Sequence, residues 1–313
     1  MSKARRVLLG ETLLVTRRCL DRKFLLVPRE RLREIFIYCL GHAAALHDIE
    51  VHGFVVMSNH YHIICTDVDG DLPAFCRWLN GHLAKLINWE LKRPRGQVWD
   101  ARKYSRVRLA DDDAVLRELA YVITNPVAAG AVEQPSQWPG LIVLAKDIGK
   151  TWTADRPAFF RIEPESDGVQ GGARHRKDRP VLPPKATLEL TPPPLAEKLA
   201  LDRLQERLER QVAERVEALH RDRPAGTYQG AEAVQRVHHE FVPSTPDAPR
   251  GSLGPTFATR HGALWKTEVE QLLDFRAKYE KARAAYLRGE RDVEFPAGTY
   301  LMRIQLGVRC AAA

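Results

Sequence analysis

The chain has 313 residues, enough to bury a real hydrophobic core in one large domain or two modest ones. An apolar share of 44% and a charged share of 28% are those of an ordinary soluble protein and exclude global disorder. A formal net charge of +8 and an isoelectric point near 9.3 suit a polyanionic partner, of which nucleic acid is the commonest, but say nothing about fold.

Thr12 to Thr16 is a short β-branched and aliphatic run and predicts a strand. From Pro28 to Leu46, Leu32, Ile35, Phe36, Cys39 and Leu40 recur at helical spacing, and Pro28 suits the first turn. Val51 to Met57 and His60 to Thr66 are valine- and isoleucine-rich, and the Ser58-Asn59 break between them reads as a tight hairpin. Helical spacing returns from Leu72 to Leu91 through Phe75, Leu79, Leu83 and Leu86. Val107 to Leu109 predicts a further strand. Asp111 to Thr124 predicts a helix capped by Asp111, Asp112 or Asp113, and Pro126 is expected to stop it. The order β-α-β-β-α-β-α predicts an α+β fold: a ferredoxin-like antiparallel sheet with helices packed against it.

Composition shifts after about Ile162. Glycines from Gly168 to Gly172, a basic run from Arg174 to Arg179 and a set of prolines make residues 163–194 read as a linker. Residues 195–313 then read as a small, mostly helical module, with amphipathic helices from Leu195 to about His220 and from Leu264 to Leu287. Residues 1–162 are the expected α+β domain.

The five cysteines, Cys19, Cys39, Cys65, Cys76 and Cys310, are scattered and form no CxxC pair. That argues against a disulfide framework and a structural zinc site and fits a reducing cytosol. Glu11 and Arg17 interrupt the apolar run after the basic N-terminus, and no secretory segment or membrane span is read. A cytoplasmic protein with no membrane partner is expected.

The main chemical signal is the segment from His52 to Ile64. On a strand, residues two apart share a face, so His60 and His62 present adjacent imidazoles and Tyr61 points the other way. Two such nitrogens, with oxygen donors and phosphate completing the shell, accept magnesium or manganese. With eleven histidines in the chain, about 0.4 such pairs arise by chance, so the pair alone is a weak signal. Cys65, further along the strand, is read as a small buried side chain on the His62 face.

The second signal is Leu119 to Val127. Tyr121 and Asn125 are four apart near a helix end and lie on one face. Tyrosine offers a phenolate nucleophile and asparagine a carbonyl oxygen for a metal. On these residues alone the reading that wins is Tyr121 as a core side chain and Asn125 as the helix C-cap.

The order Val15-Thr16-Arg17, then Met57 to His62, then Gly96 to Trp99, then Tyr121 with Asn125-Pro126-Val127 and Gly130, resembles the REP-associated tyrosine transposases. These belong to the wider insertion-sequence-200-like group of single-tyrosine HUH transposases. The resemblance covers roughly residues 10 to 140 and rests on four motifs in the right order. Two departures stand out: Ser58 replaces the usual proline before the asparagine, and Ala128-Ala129 replaces an arginine-alanine pair, so one basic contact is missing. The resemblance implies that His60, His62 and Asn125 hold a divalent cation (Mg2+ or Mn2+). It also implies that Tyr121 attacks a phosphodiester of single-stranded or hairpin DNA, leaving a 5′-phosphotyrosine and a free 3′-hydroxyl. Relaxase-like or replication-initiator-like nicking, and a non-catalytic DNA-binding regulator on the same fold, are the competing readings. Whether one chain acts or two combine is left open.

Arg17, Arg18, Arg22 and Lys23 cluster after the first strand. Arg102, Lys103 and Arg106 follow Trp99, in a stretch that also holds Tyr104. Cations interleaved with aromatics suit phosphates and stacked bases, and these seven are the expected DNA contacts. The same pattern also suits a solvated basic face over core aromatics. His238, His239 and His261 are read as surface histidines.

Overall fold

Alternation along the strands builds the centre of the molecule. The computed structural model describes residues 4–93, 96–101, 104–161, 182–195, 198–223, 226–244 and 256–312. The strands are β1 (Glu11–Arg18), β2 (Ile49–Val56), β3 (His60–Asp67) and β4 (Ser105–Leu109), and the helices between them α1 (Glu30–Leu46) and α2 (Leu72–Glu90). In space the strands run β2-β3-β1-β4, every neighbour antiparallel. The crossover β1-α1-β2 therefore leaves room for β3, and β3-α2-β4 leaves room for β1. This interleaving is the ferredoxin-like arrangement expected from the element order.

The two faces carry different helices. Leu13, Val15, Phe54, Tyr61 and Ile63 point toward α1 and α2 and are buried. Phe36 of α1 packs its ring 6.0 Å from Phe54 and 5.4 Å from Tyr61. Helix α3 (Asp112–Ala128) crosses the opposite face, where a Cβ on Gly53 would come 2.8 Å from the Leu119 side chain. A bulge places His52 as the extra residue of β2, buried, with Nε2 2.8 Å from Thr66 Oγ1 and Nδ1 3.0 Å from the Thr191 carbonyl.

Three expectations differ from the fold. Pro126 does not stop α3, which runs on to Ala128. A proline in the last turn forfeits a single backbone bond, and the Ala129 N–H still reaches the Asn125 carbonyl at 2.9 Å. The helix ends instead at Gly130, whose φ of +69° lets Ala131 N–H reach back to the Pro126 carbonyl at 3.0 Å. Asp111 caps the start, accepting from Ala114 N–H at 2.6 Å. Cys65 is buried, but three residues from His62 is an odd step, so it lies on the α1/α2 face opposite Leu13 and Val51.

The third difference lies in the stretch read as a linker. After α3, β5 (Thr151–Asp155) pairs antiparallel with β6 (Lys185–Glu189), which falls inside residues 163–194. Ala186 and Leu188 are buried while Lys185, Thr187 and Glu189 face out, a two-residue alternation that the surrounding prolines obscure. The strand pair packs on α1 so closely that a Cβ on Gly41 would sit 2.7 Å from the Thr187 carbonyl oxygen. The basic run Arg174 to Arg179 lies outside the described residues.

The C-terminal residues pack onto the sheet domain. Helix α4 (Leu201–Arg221) lies on α3 and buries Leu204, Leu208 and Val216. After the short α5 (Ala231–Arg236), β7 (Phe257–Ala258) adds parallel to β4. Helix α6 (Gly262–Leu287) buries Glu268 against the guanidinium of Arg108 and, at 3.6 Å, that of Arg6. Helix α7 (Leu301–Leu306) follows Tyr300, whose hydroxyl bonds Asp71. Among the described residues, no helix is long and apolar enough to cross a membrane.

Candidate active site

The face under α3 gathers the predicted chemistry. Strand pairing sets Thr16 opposite His62 and Arg18 opposite His60, so all four side chains share it. The imidazole rings of His60 and His62 lie 4.9 Å apart, nearly perpendicular at 85°. Each Nδ1 is engaged: His62 with Thr16 Oγ1 at 2.8 Å, His60 with Asn59 Oδ1 at 2.7 Å. Because Asn59 Oδ1 only accepts, the proton on His60 sits on Nδ1 and the Nε2 lone pair is left for another partner.

Both histidines are held neutral. Burial, helped by the charges of Arg18 and Arg22, pushes His60 down to about 4 against the pull of its hydrogen bond to Asn125. Burial, the neighbouring His60 and Arg18 hold His62 well below the ordinary imidazole range. At neutral pH both rings are Lewis bases.

Helix α3 brings the second predicted pair to the same place. The Tyr121 ring meets His62 with centres 5.3 Å apart at 75°, and the Asn125 side chain, one turn further on, acts on the titration of His60. Tyr121 stays half-buried, with part of its surface open, while Asn125 is buried. The four residues singled out from the sequence thus converge from one strand and one helix. Tyr61, between the histidines, faces away as its odd position requires; it is fully buried, donates to Asn80 Oδ1 at 2.9 Å, and burial drives its phenol well above the ordinary range.

The chemistry of the donor set fits a divalent cation. Two neutral imidazoles with their Nδ1 atoms engaged match the usual arrangement of metal-binding histidines, whose other ring nitrogen is held and oriented. The Asn125 amide, buried one helical turn beyond Tyr121, adds an oxygen donor. Among the described residues no three His, Cys, Asp or Glu side chains group as a metal cage, so phosphate and water oxygens would have to complete the shell.

The basic residues divide between the faces. Arg18 is exposed beside His60, and both it and Arg22 act on His60 through their charge. Arg17 and Arg106 lie on the α1/α2 face. Arg17 stands over the Trp99 ring at 5.8 Å, and Arg106 donates to the Arg6 carbonyl, both guanidiniums partly desolvated. Lys23 ion-pairs with Glu240. Arg102 and Lys103 lie outside the described residues. His238 and His261 are exposed and His239 half-buried.

Three participants escaped the sequence reading. Thr16 is legible only once the β1–β3 register is known, and Asn59 only once its carbonyl meets His60. Arg215 of α4 has no local signal: it places its guanidinium carbon 5.4 Å from the centre of the Tyr121 ring.

Neither a protein-family model nor a curated protein matches the chain. The chain is similar to the solved structure of a REP-associated tyrosine transposase bound to a REP hairpin, at 23% identity and a TM-score of 0.37, covering 45% of this chain and 81% of that one. It is also similar to a candidate transposase from Deinococcus radiodurans R1, at 18% identity and a TM-score of 0.29, covering 39% and 95%. Both likenesses span less than half of this chain.

Proposed function

We propose that the chain is a transposase-type enzyme that nicks and rejoins single-stranded or hairpin DNA, with Tyr121 as nucleophile. One observation carries this reading: the Tyr121 ring abuts His62 at 5.3 Å between centres, under the helix that also carries the buried Asn125 one turn further on. A phenol, two neutral imidazoles and an amide oxygen facing one another under a helix have little purpose as packing. They suit attack on a phosphodiester.

In the reaction, the Tyr121 oxygen bonds to phosphorus as the bond from phosphorus to the 3′-oxygen breaks. The phenolic proton passes to solvent and the departing 3′-oxygen takes one up. The product is a 5′-phosphotyrosine and a free 3′-hydroxyl, and attack by a 3′-hydroxyl reverses the step without loss of bond energy. His60, His62 and Asn125 would hold the divalent cation, Mg2+ or Mn2+. When bound there it supplies charge neutralisation on the phosphate and on the leaving oxygen. Thr16 and Asn59 hold the two rings in place, and Arg18 and Arg22 supply cations for the DNA backbone beside His60.

The test is incubation with labelled hairpin DNA from the sequence flanking the gene, in Mn2+ or Mg2+, followed by a denaturing gel. A covalent band that EDTA abolishes is expected. A band that persists in EDTA contradicts the role of the metal. DNA binding with no band in either cation contradicts the enzyme and leaves a regulatory DNA-binding protein.

A further inference from the structure

The site described so far comes from β3 and α3, yet one of its neighbours arrives from α4. Arg215 directs its guanidinium carbon to within 5.4 Å of the Tyr121 ring centre, inside the range at which a cation is attracted to an aromatic face. Its Nε donates to Thr124 Oγ1 at 2.8 Å, and that hydroxyl donates to the Ala120 carbonyl at 2.8 Å. The guanidinium is therefore anchored on the very turn of α3 that carries Tyr121, from a residue 91 positions beyond Thr124.

We propose that Arg215 is a positioning residue of the reaction: seated over the Tyr121 ring and tied to the same turn of α3, it fixes the orientation in which the phenol attacks. The inference rests on the reading of Tyr121 as nucleophile and deepens it, because it makes the active site incomplete without α4. Arg215 is not needed merely to fasten that helix. Leu204, Leu208 and Val216 bury its apolar stripe, Arg207 pairs with Asp113 at 3.4 Å, and Arg223 donates to the Ala128 carbonyl at 3.1 Å. Arg215 remains half-buried, with open surface beside the half-buried phenol. Burial raises the carboxyl of Glu118 on α3, against the charges of Arg117 and Arg215.

The experiment compares wild type, Arg215→Ala and Arg215→Lys in three readouts: single-turnover adduct formation, hairpin affinity in EDTA, and melting temperature. For Arg215→Ala the rate should fall at least about tenfold, with hairpin affinity held within about threefold. Arg215→Lys, and Arg215→Ala supplemented with free guanidinium ion below denaturing concentration, should each recover part of the rate. An unchanged rate in Arg215→Ala overturns the proposal, as does a rate loss fully matched by lost hairpin affinity, which would make Arg215 a DNA contact alone. Should Arg215→Ala fail to fold, Thr124→Val keeps the arginine and removes its anchor. A fall of about threefold in rate at constant affinity is then expected, and no fall overturns the proposal. Absence of any adduct in wild type is a separate result, overturning the Tyr121 reading itself.

Discussion

The two faces of the central sheet differ by one residue step along β3, and their two tyrosines show what that step decides. Tyr61 sits between the histidines in sequence but on the α1/α2 face, fully buried, its hydroxyl spent on Asn80. Tyr121 is sixty positions away in sequence, yet its ring touches His62. Because strand side chains alternate, nearness in sequence puts Tyr61 on the wrong face, and helix α3 brings the distant tyrosine back over the right one. Of the two phenols, Tyr61 is taken up inside the fold and Tyr121 lies on the face of the two histidines.

The largest expected effect breaks that comparison directly. Tyr121→Phe should abolish the covalent protein–DNA adduct, a loss of at least about 10³-fold, while leaving the melting temperature near wild type. Tyr61→Phe should do the reverse: adduct formation continues while stability falls by about 1–2 kcal/mol, since the buried Asn80 oxygen loses its donor. Adduct formation and urea denaturation on both variants decide it, and a Tyr61→Phe chain unable to form adduct would contradict the separation of the faces.

Next comes the metal. Mn2+ at about a hundred times its dissociation constant should stabilise the wild-type chain by about 2.7 kcal/mol. His60→Ala with His62→Ala should remove that gain entirely. Thermal melts with and without Mn2+ read it, and a gain surviving in the double variant would put the cation elsewhere.

Acid probes the same face through burial. His52 is buried and its imidazole is pushed down to about 4, below the value of about 6.5 in an unfolded chain. Below pH 6.5 the unfolded chain binds the extra proton and the folded chain does not, so this contribution is complete above pH 6.5 and is lost as pH falls toward 4. At pH 5 the loss from His52 alone is about 2 kcal/mol. Urea denaturation of wild type at pH 7 and pH 5, repeated on His52→Gln, measures it; an identical pH dependence in the variant would contradict the assignment.

The smallest expected effect is on the α1/α2 side. Gly41→Ala pushes a methyl group toward the Thr187 carbonyl and should cost about 1 kcal/mol net, with no change in adduct formation. Hydrogen exchange should locate the loosening at β5 and β6, and exchange unchanged there would contradict the close packing.

Much of this was legible in the sequence because period and adjacency are local properties. The alternation of His60, Tyr61 and His62 predicted their faces, and the four-residue step from Tyr121 to Asn125 predicted a shared helix face. What was not legible depends on register and long-range packing. Thr16 meets His62 only through strand pairing, and Arg215 arrives on a helix read as part of a separate module. Arg17 and Arg106 look like DNA ligands in a basic stretch, but alternation turns them to the face opposite the histidines. Pro126 was expected to end α3 because proline usually breaks helices, yet one lost bond in the last turn is tolerated. The strand from Lys185 to Glu189 was hidden by the prolines around it.

The most direct measurement is to trap the covalent adduct with hairpin DNA in Mn2+, digest it with protease and nuclease, and locate the nucleotide by mass spectrometry. The account requires the modification on the phenolic oxygen of Tyr121. A nucleotide on Tyr61, or on any side chain remote from His60 and His62, would contradict it.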